Sequence, residues 1–95
     1  MRGRKPKTGQ YTGNGSTGVS VDLGFKPSKV EITNITDGDV YAFAYEGMAA
    51  AKGIKIGAAV AQMSSAGITL GATGFVVGTD ADLIENNKVF AWIAW

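Results

Sequence analysis

The sequence contains no cysteine and no histidine. Without cysteine there are no disulfides, thiolate metal sites, iron–sulfur clusters or thiol catalysis. Without histidine the commonest general base and metal ligand is missing. The remaining Asp, Glu, Lys, Ser, Thr and Tyr show no catalytic spacing, so the reading is of a protein that is not an enzyme and that carries no metal and no cofactor. No apolar run approaches the roughly 20 residues of a membrane span. The opening MRGRKPKTGQ has a basic start but lacks the apolar stretch of a signal peptide. The expectation is a soluble chain made in a reducing cytoplasm, with no membrane partner. Its 95 residues allow one domain, and a domain of this size folds with a thin margin unless a partner surface buries more, so self-association is expected.

What charge there is lies unevenly. Arg2, Arg4, Lys5 and Lys7 put four positive charges into the first seven residues, leaving five lysines against eight acids, a net of −3, for the rest. Residues 1–10 read as a flexible basic N-terminal arm and 11–95 as a single β-domain. Such an arm either stays solvated and disordered or orders on an anionic partner. The acidic body opposes DNA, so no nucleic-acid partner is expected.

Beyond residue 10 the pattern has period two. Val19, Val21, Leu23 and Phe25 share a face opposite Ser20 and Asp22, and Val30 and Ile32 lie opposite Glu31 and Thr33. In DVYAFAYE, Tyr41, Phe43 and Tyr45 form an aromatic face and Val40, Ala42 and Ala44 a small apolar one. KVFAWIAW likewise has Val89, Ala91, Ile93 and Trp95 on one side and Phe90, Trp92 and Ala94 on the other. A strand apolar on both sides is either sandwiched between layers or half of it lies at a subunit interface. Residues 48–65 read as a glycine-rich connection with a short strand near 54–61, and GITL, GFVVG and ADLIEN as three short β elements. Turn signals at Asn14-Gly15, Asp37-Gly38, Ala66-Gly67, Thr73-Gly74 and Asn86-Asn87 separate the strands. The fold class is all-β, a compact antiparallel sandwich or barrel of about seven to eight short strands.

Gly13-Asn14-Gly15-Ser16-Thr17-Gly18 has the spacing of a dinucleotide-binding loop, but a charged segment precedes it and a period-two strand follows, where a buried strand and a helix N-terminus are required. Asn14-Gly15 is instead a type I′ hairpin turn or an open loop. Asp37-Gly38-Asp39 and Asp80-Ala81-Asp82 offer oxygen ligands in the Ca²⁺ or Mg²⁺ style, and polar turn residues that bond their own backbone are the preferred reading. Asn14-Gly15-Ser16 and Asn34-Ile35-Thr36 are glycosylation acceptors only in form. Trp92, Trp95, Phe90 and the Tyr41/Phe43/Tyr45 stripe fit a carbohydrate or base-stacking platform, though such rings more often form core or interface.

YTGNGS…VDLGFKPSKVEITN, then a glycine-rich middle, then GITLGATGFVVGTDADL…VFAWIAW resembles small virion proteins of tailed bacteriophages, of the capsid decoration (cement) type. These are related to modules also seen in tail-fibre proteins. The resemblance rests on Gly24-Phe25-Lys26-Pro27 leading into Val30 and Ile32, and on Gly74-Phe75-Val76-Val77-Gly78-Thr79-Asp80-Ala81 preceding the strand of Trp92 and Trp95. It implies a virion protein that binds the outer surface of the major capsid protein shell as a homo-oligomer, expected to be a trimer, and stabilises it. Tyr41, Phe43, Tyr45, Phe90, Trp92 and Trp95 are the expected oligomer interface. Arg2, Arg4, Lys5 and Lys7 are the expected capsid-binding arm, bridging neighbouring capsid subunits. The alternative is a tail-fibre or receptor-binding module that recognises a host surface glycan; a free-standing small chain favours decoration.

Overall fold

The alternation in KVEITN and VFAWIA becomes two neighbouring strands of one sheet. The computed structural model describes residues 5–63 and 65–95. Among them lie nine strands: β1 (Lys7–Thr12), β2 (Val19–Asp22), β3 (Lys29–Asn34), β4 (Tyr41–Tyr45), β5 (Ile54–Ile56), β6 (Val60–Gln62), β7 (Ile68–Leu70), β8 (Gly74–Val77) and β9 (Val89–Ala94). They form a six-stranded sheet in the order β1-β9-β3-β4-β5-β6 and a three-stranded sheet in the order β2-β8-β7. Every pairing is antiparallel. The fold is all-β and sandwich-like, and among the described residues there is no helix that could cross a membrane.

The core is the space between the two sheets. Val30, Ile32, Ala42, Ala44, Phe90 and Trp92 enter it from the large sheet, and Ile68, Phe75 and Val77 from the small one. Phe75 meets Trp92 edge to face at 5.3 Å between ring centroids, so one aromatic contact locks the layers together. Leu23, Met63, Leu83 and Ile84 close the ends of the core from loops.

The β1 strand begins at Lys7, so residues 7–10, which charge assigns to the arm, pair with the last strand, from Lys7 opposite Ala94 to Gln10 opposite Ala91. Period-two reading missed them because only Tyr11 is a large apolar residue there. Tyr11 stacks on Phe90 at 5.1 Å, and its hydroxyl donates to the Leu83 carbonyl at 2.7 Å. Burial raises the phenol above its ordinary pKa.

Two other expectations change. The 54–61 segment is a hairpin, β5 and β6, reversed at Gly57, whose N–H reaches the Ala59 carbonyl at 3.1 Å. ADLIEN is a loop: its Leu83 and Ile84 side chains are buried, while their carbonyls accept from Tyr11 and from the Gly15 N–H. With its backbone committed in this way, the segment joins neither sheet. Asn14-Gly15 is an open loop carrying the chain from the large sheet to the small one. Asn14 Oδ1 accepts from the Ser16 and Thr17 N–H groups at 2.9 Å each, so these amides are turned onto a side chain of their own loop.

Gly9 lies opposite Trp92, and a Cβ built there would sit 2.5 Å from the indole. The ring that locks the sheets is therefore covered by bare backbone. Gly9→Ala is expected to cost about 1–3 kcal/mol as the core is forced apart. Gly57→Ala, where the nearest atom is 3.6 Å away, should stay within about 0.5 kcal/mol, as surface changes do. Urea unfolding of the two variants measures the difference.

Candidate functional site

Strand alternation that sends Phe90 and Trp92 inward sends the intervening residues outward. Register carries this across all six strands of the large sheet. One row on the outer face runs Gln10, Ala91, Thr33, Tyr41, Ile56, Val60, and the next runs Thr8, Ile93, Glu31, Phe43, Ile54, Gln62. Among the described residues no layer covers this face. Val60 is 69 % exposed, Tyr45 45 % and Ile56 37 %, and Tyr41, Phe43 and Ile93 are half-buried by one another. A connected apolar surface of this kind on a small domain marks an interaction site.

Along β4 the rings form a ladder, Tyr41 to Phe43 at 5.7 Å and Phe43 to Tyr45 at 5.3 Å. Beside it β3 contributes two charges, Lys29 and Glu31, paired at 2.6 Å. Lys29 Nζ also lies 5.1 Å from the ring centroids of both Tyr45 and Trp95. The hydrogen bond to Glu31 raises the Lys29 pKa. Tyr41 is raised by desolvation first and then by its own hydrogen bond to Glu31. Lysine, glutamate and tyrosine thus form a neutral network within one chain. Ser28, Lys29, Tyr45, Glu46 and Trp95 line an open hollow of about 580 Å³ at one end of the face.

Tyr41, Phe43, Tyr45 and Trp95 are therefore brought together on one outer surface. Phe90 and Trp92, grouped with them on sequence, are not: they are 0 % and 9 % exposed within the single chain and point into its core. Aromatic character does not reveal which way a strand apolar on both sides faces; pairing of β9 between β1 and β3 decides it. Ile54, Ile56 and Val60 belong to the face but were hidden in a glycine-rich stretch. The signal for Lys29 and Glu31 was present, since they alternate with buried Val30 and Ile32.

Arg2 and Arg4 lie outside the described residues. Lys5 is exposed, whereas Lys7 donates to the Leu23 carbonyl at 2.8 Å, tying β1 to the loop after β2. Asp37, Asp80 and Asp82 are in use within the fold. Asp37 meets Lys88 at 3.2 Å beside the buried Asn34, whose Oδ1 accepts from the Thr36 and Asp37 N–H groups. Asp80 and Asp82 hold the Lys55 ammonium at 3.0 and 2.8 Å. Their hydrogen bonds, Asp82's first, raise the Lys55 pKa. Among the described residues no three acidic side chains converge to hold a metal ion.

No protein-family model matches the chain, and neither a curated protein nor a solved structure matches it.

Because Lys55 occupies the place between Asp80 and Asp82 where a cation would sit, millimolar Ca²⁺ should leave the melting temperature of the protein unchanged. Lys55→Met should lower stability by about 1–3 kcal/mol by leaving the largely buried Asp80 unpaired. Thermal unfolding with and without the ion checks both statements, and a Ca²⁺-dependent rise in the unsubstituted protein would contradict the first.

Proposed function

We propose that the chain is a capsid decoration (cement) protein of a tailed bacteriophage, a structural protein that binds the outer surface of the major capsid shell as a trimer and stabilises it. The observation that carries this reading is the outer face of the six-stranded sheet, broad, apolar and internally neutralised. A face of this kind suits a protein partner better than a small ion or a nucleic acid, and Tyr41, Phe43, Tyr45 and Trp95 provide the large rings that dominate interface energy. Copies bury this face against one another, and the basic N-terminal residues reach an acidic rim of neighbouring capsid subunits. Each arm contact is weak, but three on one particle act through effective concentration.

The hollow between Tyr45 and Trp95 supports a second reading, a tail-fibre or receptor-binding module for a host glycan. Its rings offer stacking surfaces, and Ser28 and Glu46 offer hydrogen-bonding groups.

Co-sedimentation with capsids of the parent phage tests the first reading. Saturable binding is expected, and deletion of residues 1–5, which leaves β1 whole, should weaken it several-fold and flatten its salt dependence. Absence of binding, together with retention on host glycans that Trp95→Ala abolishes, would replace decoration with the second reading.

A further inference from the structure

Asn14-Gly15 is the one Asn-Gly pair of the chain, and it sits where two loops close on one another. Three backbone bonds join the loop after β1 to the segment before β9. The Gly13 N–H donates to the Lys88 carbonyl at 2.9 Å, the Gly15 N–H to the Ile84 carbonyl at 2.7 Å, and the Asn87 N–H to the Gly13 carbonyl at 3.0 Å. Gly13 is buried against the backbone of Ile84 and Glu85, with no room for a β-carbon. The segment clasped in this way supplies Leu83 and Ile84 to the core.

Both residues of the pair are required by this geometry. Gly15 has a φ of +79°, which a side chain would strain. Asn14 holds its own loop: Oδ1 accepts from the Ser16 and Thr17 N–H groups, and Nδ2 donates to the Thr17 hydroxyl at 2.7 Å.

An Asn-Gly pair is also chemically labile. The glycine nitrogen, with no side chain crowding it, loses its proton and attacks the asparagine Cγ. A bond forms between the Gly15 nitrogen and the Asn14 Cγ, the Cγ–Nδ2 bond breaks, and ammonia leaves. Water then opens the cyclic imide at either carbonyl, giving aspartate or, with the main chain routed through the side-chain carbon, isoaspartate. Asn14 and Gly15 are both exposed, so solvent access does not restrain this reaction. Their hydrogen bonds do. Donation to the Ile84 carbonyl favours the protonated Gly15 amide, because its anion would face a carbonyl oxygen. The bonds to Ser16 and Thr17 fix the side-chain amide.

We propose that Asn14 is a self-modification site gated by this clasp: while the clasp is closed the amide is kept, and once it opens Asn14 converts and the clasp cannot re-form. Isoaspartate lengthens the main chain between Gly13 and Gly15, two residues that are each bonded to the opposite segment. A local opening that the unmodified chain would reverse thus becomes permanent. The neighbouring junctions are not equivalent. Asn87 follows Asn86 with a side chain where Gly15 has none. At Asp37-Gly38 the carboxylate is paired with Lys88, and the Gly38 N–H is donated to the Asn34 carbonyl at 2.9 Å. Nothing in this gate depends on what covers the apolar face.

The protein is held at mildly alkaline pH, folded in buffer or unfolded in concentrated urea, and digested for mass spectrometry, with chromatography to separate aspartyl from isoaspartyl peptides. The expected result is conversion of Asn14 in urea, mostly to isoaspartate, and conversion at least about tenfold slower in the fold, where opening must come first. Thr17→Val, which removes the acceptor of Nδ2 on an exposed loop, should speed conversion several-fold in the folded protein and leave the rate in urea unchanged. Equal rates for folded and unfolded protein, or a folded-state rate that Thr17→Val leaves unchanged, would overturn the gate. Permanence is read on the refolded products: isoaspartyl chains should melt below Asn14→Asp, which carries the same charge on the native main chain. Identical melting of the two would overturn the claim that the clasp cannot re-form.

Discussion

The edge-to-face contact of Trp92 with Phe75 is the interaction on which the other features depend. It joins the only two sheets of the described fold across the core. To make it, β9 must turn Phe90, Trp92 and Ala94 inward, which demands bare backbone at Gly9. Once that phase is set, no freedom remains for the other side of the sheet: Val89, Ala91 and Ile93 must face outward, and register carries the same phase through β3, β4, β5 and β6. The apolar outer face is the complement of the core, produced by the same alternation.

That coupling explains why the face is both hydrophobic and orderly. A 95-residue chain has little interior to spare, and a sheet with large residues on both sides spends half of them outside unless something covers them. Glu31 and Lys29 would ordinarily oppose such covering, since desolvating a charge is costly. Here each is satisfied by the other, with Tyr41 bonded to the carboxylate and two rings flanking the ammonium. The cost of removing water from the pair is thus largely met before any partner arrives.

Much of this was legible in the residues themselves. Alternation in KVEITN, VYAFAY and VFAWIA is strong enough to name the strands and to list the faces correctly as sets. Which set faces inward was not legible for β4 and β9, because both sides are apolar and the choice belongs to the neighbours. Phe90 and Trp92 were therefore grouped with Tyr41 and Trp95 although the fold separates them. Residues 7–10 were read from their charge, and their strand depends on a partner, β9, that lies at the far end of the chain. In ADLIEN, apolar spacing suggested a strand, but the hydrogen bonds of Leu83 and Ile84 are taken by a tyrosine hydroxyl and a loop glycine. Composition excluded chemistry more readily than it identified a role; the role of a surface became arguable only when register placed Ile54, Ile56 and Val60 beside the aromatic ladder.

The central claim is that the outer face of the large sheet is covered by copies of the same chain. Trp95 lies on that face and Trp92 is 9 % exposed within the core, so iodide or acrylamide quenching of tryptophan fluorescence reads the face almost alone. Quenching measured across a dilution series should be weak at high protein concentration and rise to a plateau on dilution, in step with a fall in mass by light scattering. Strong quenching that stays the same at every concentration would mean that the face is open to water, and the account built on it would fail.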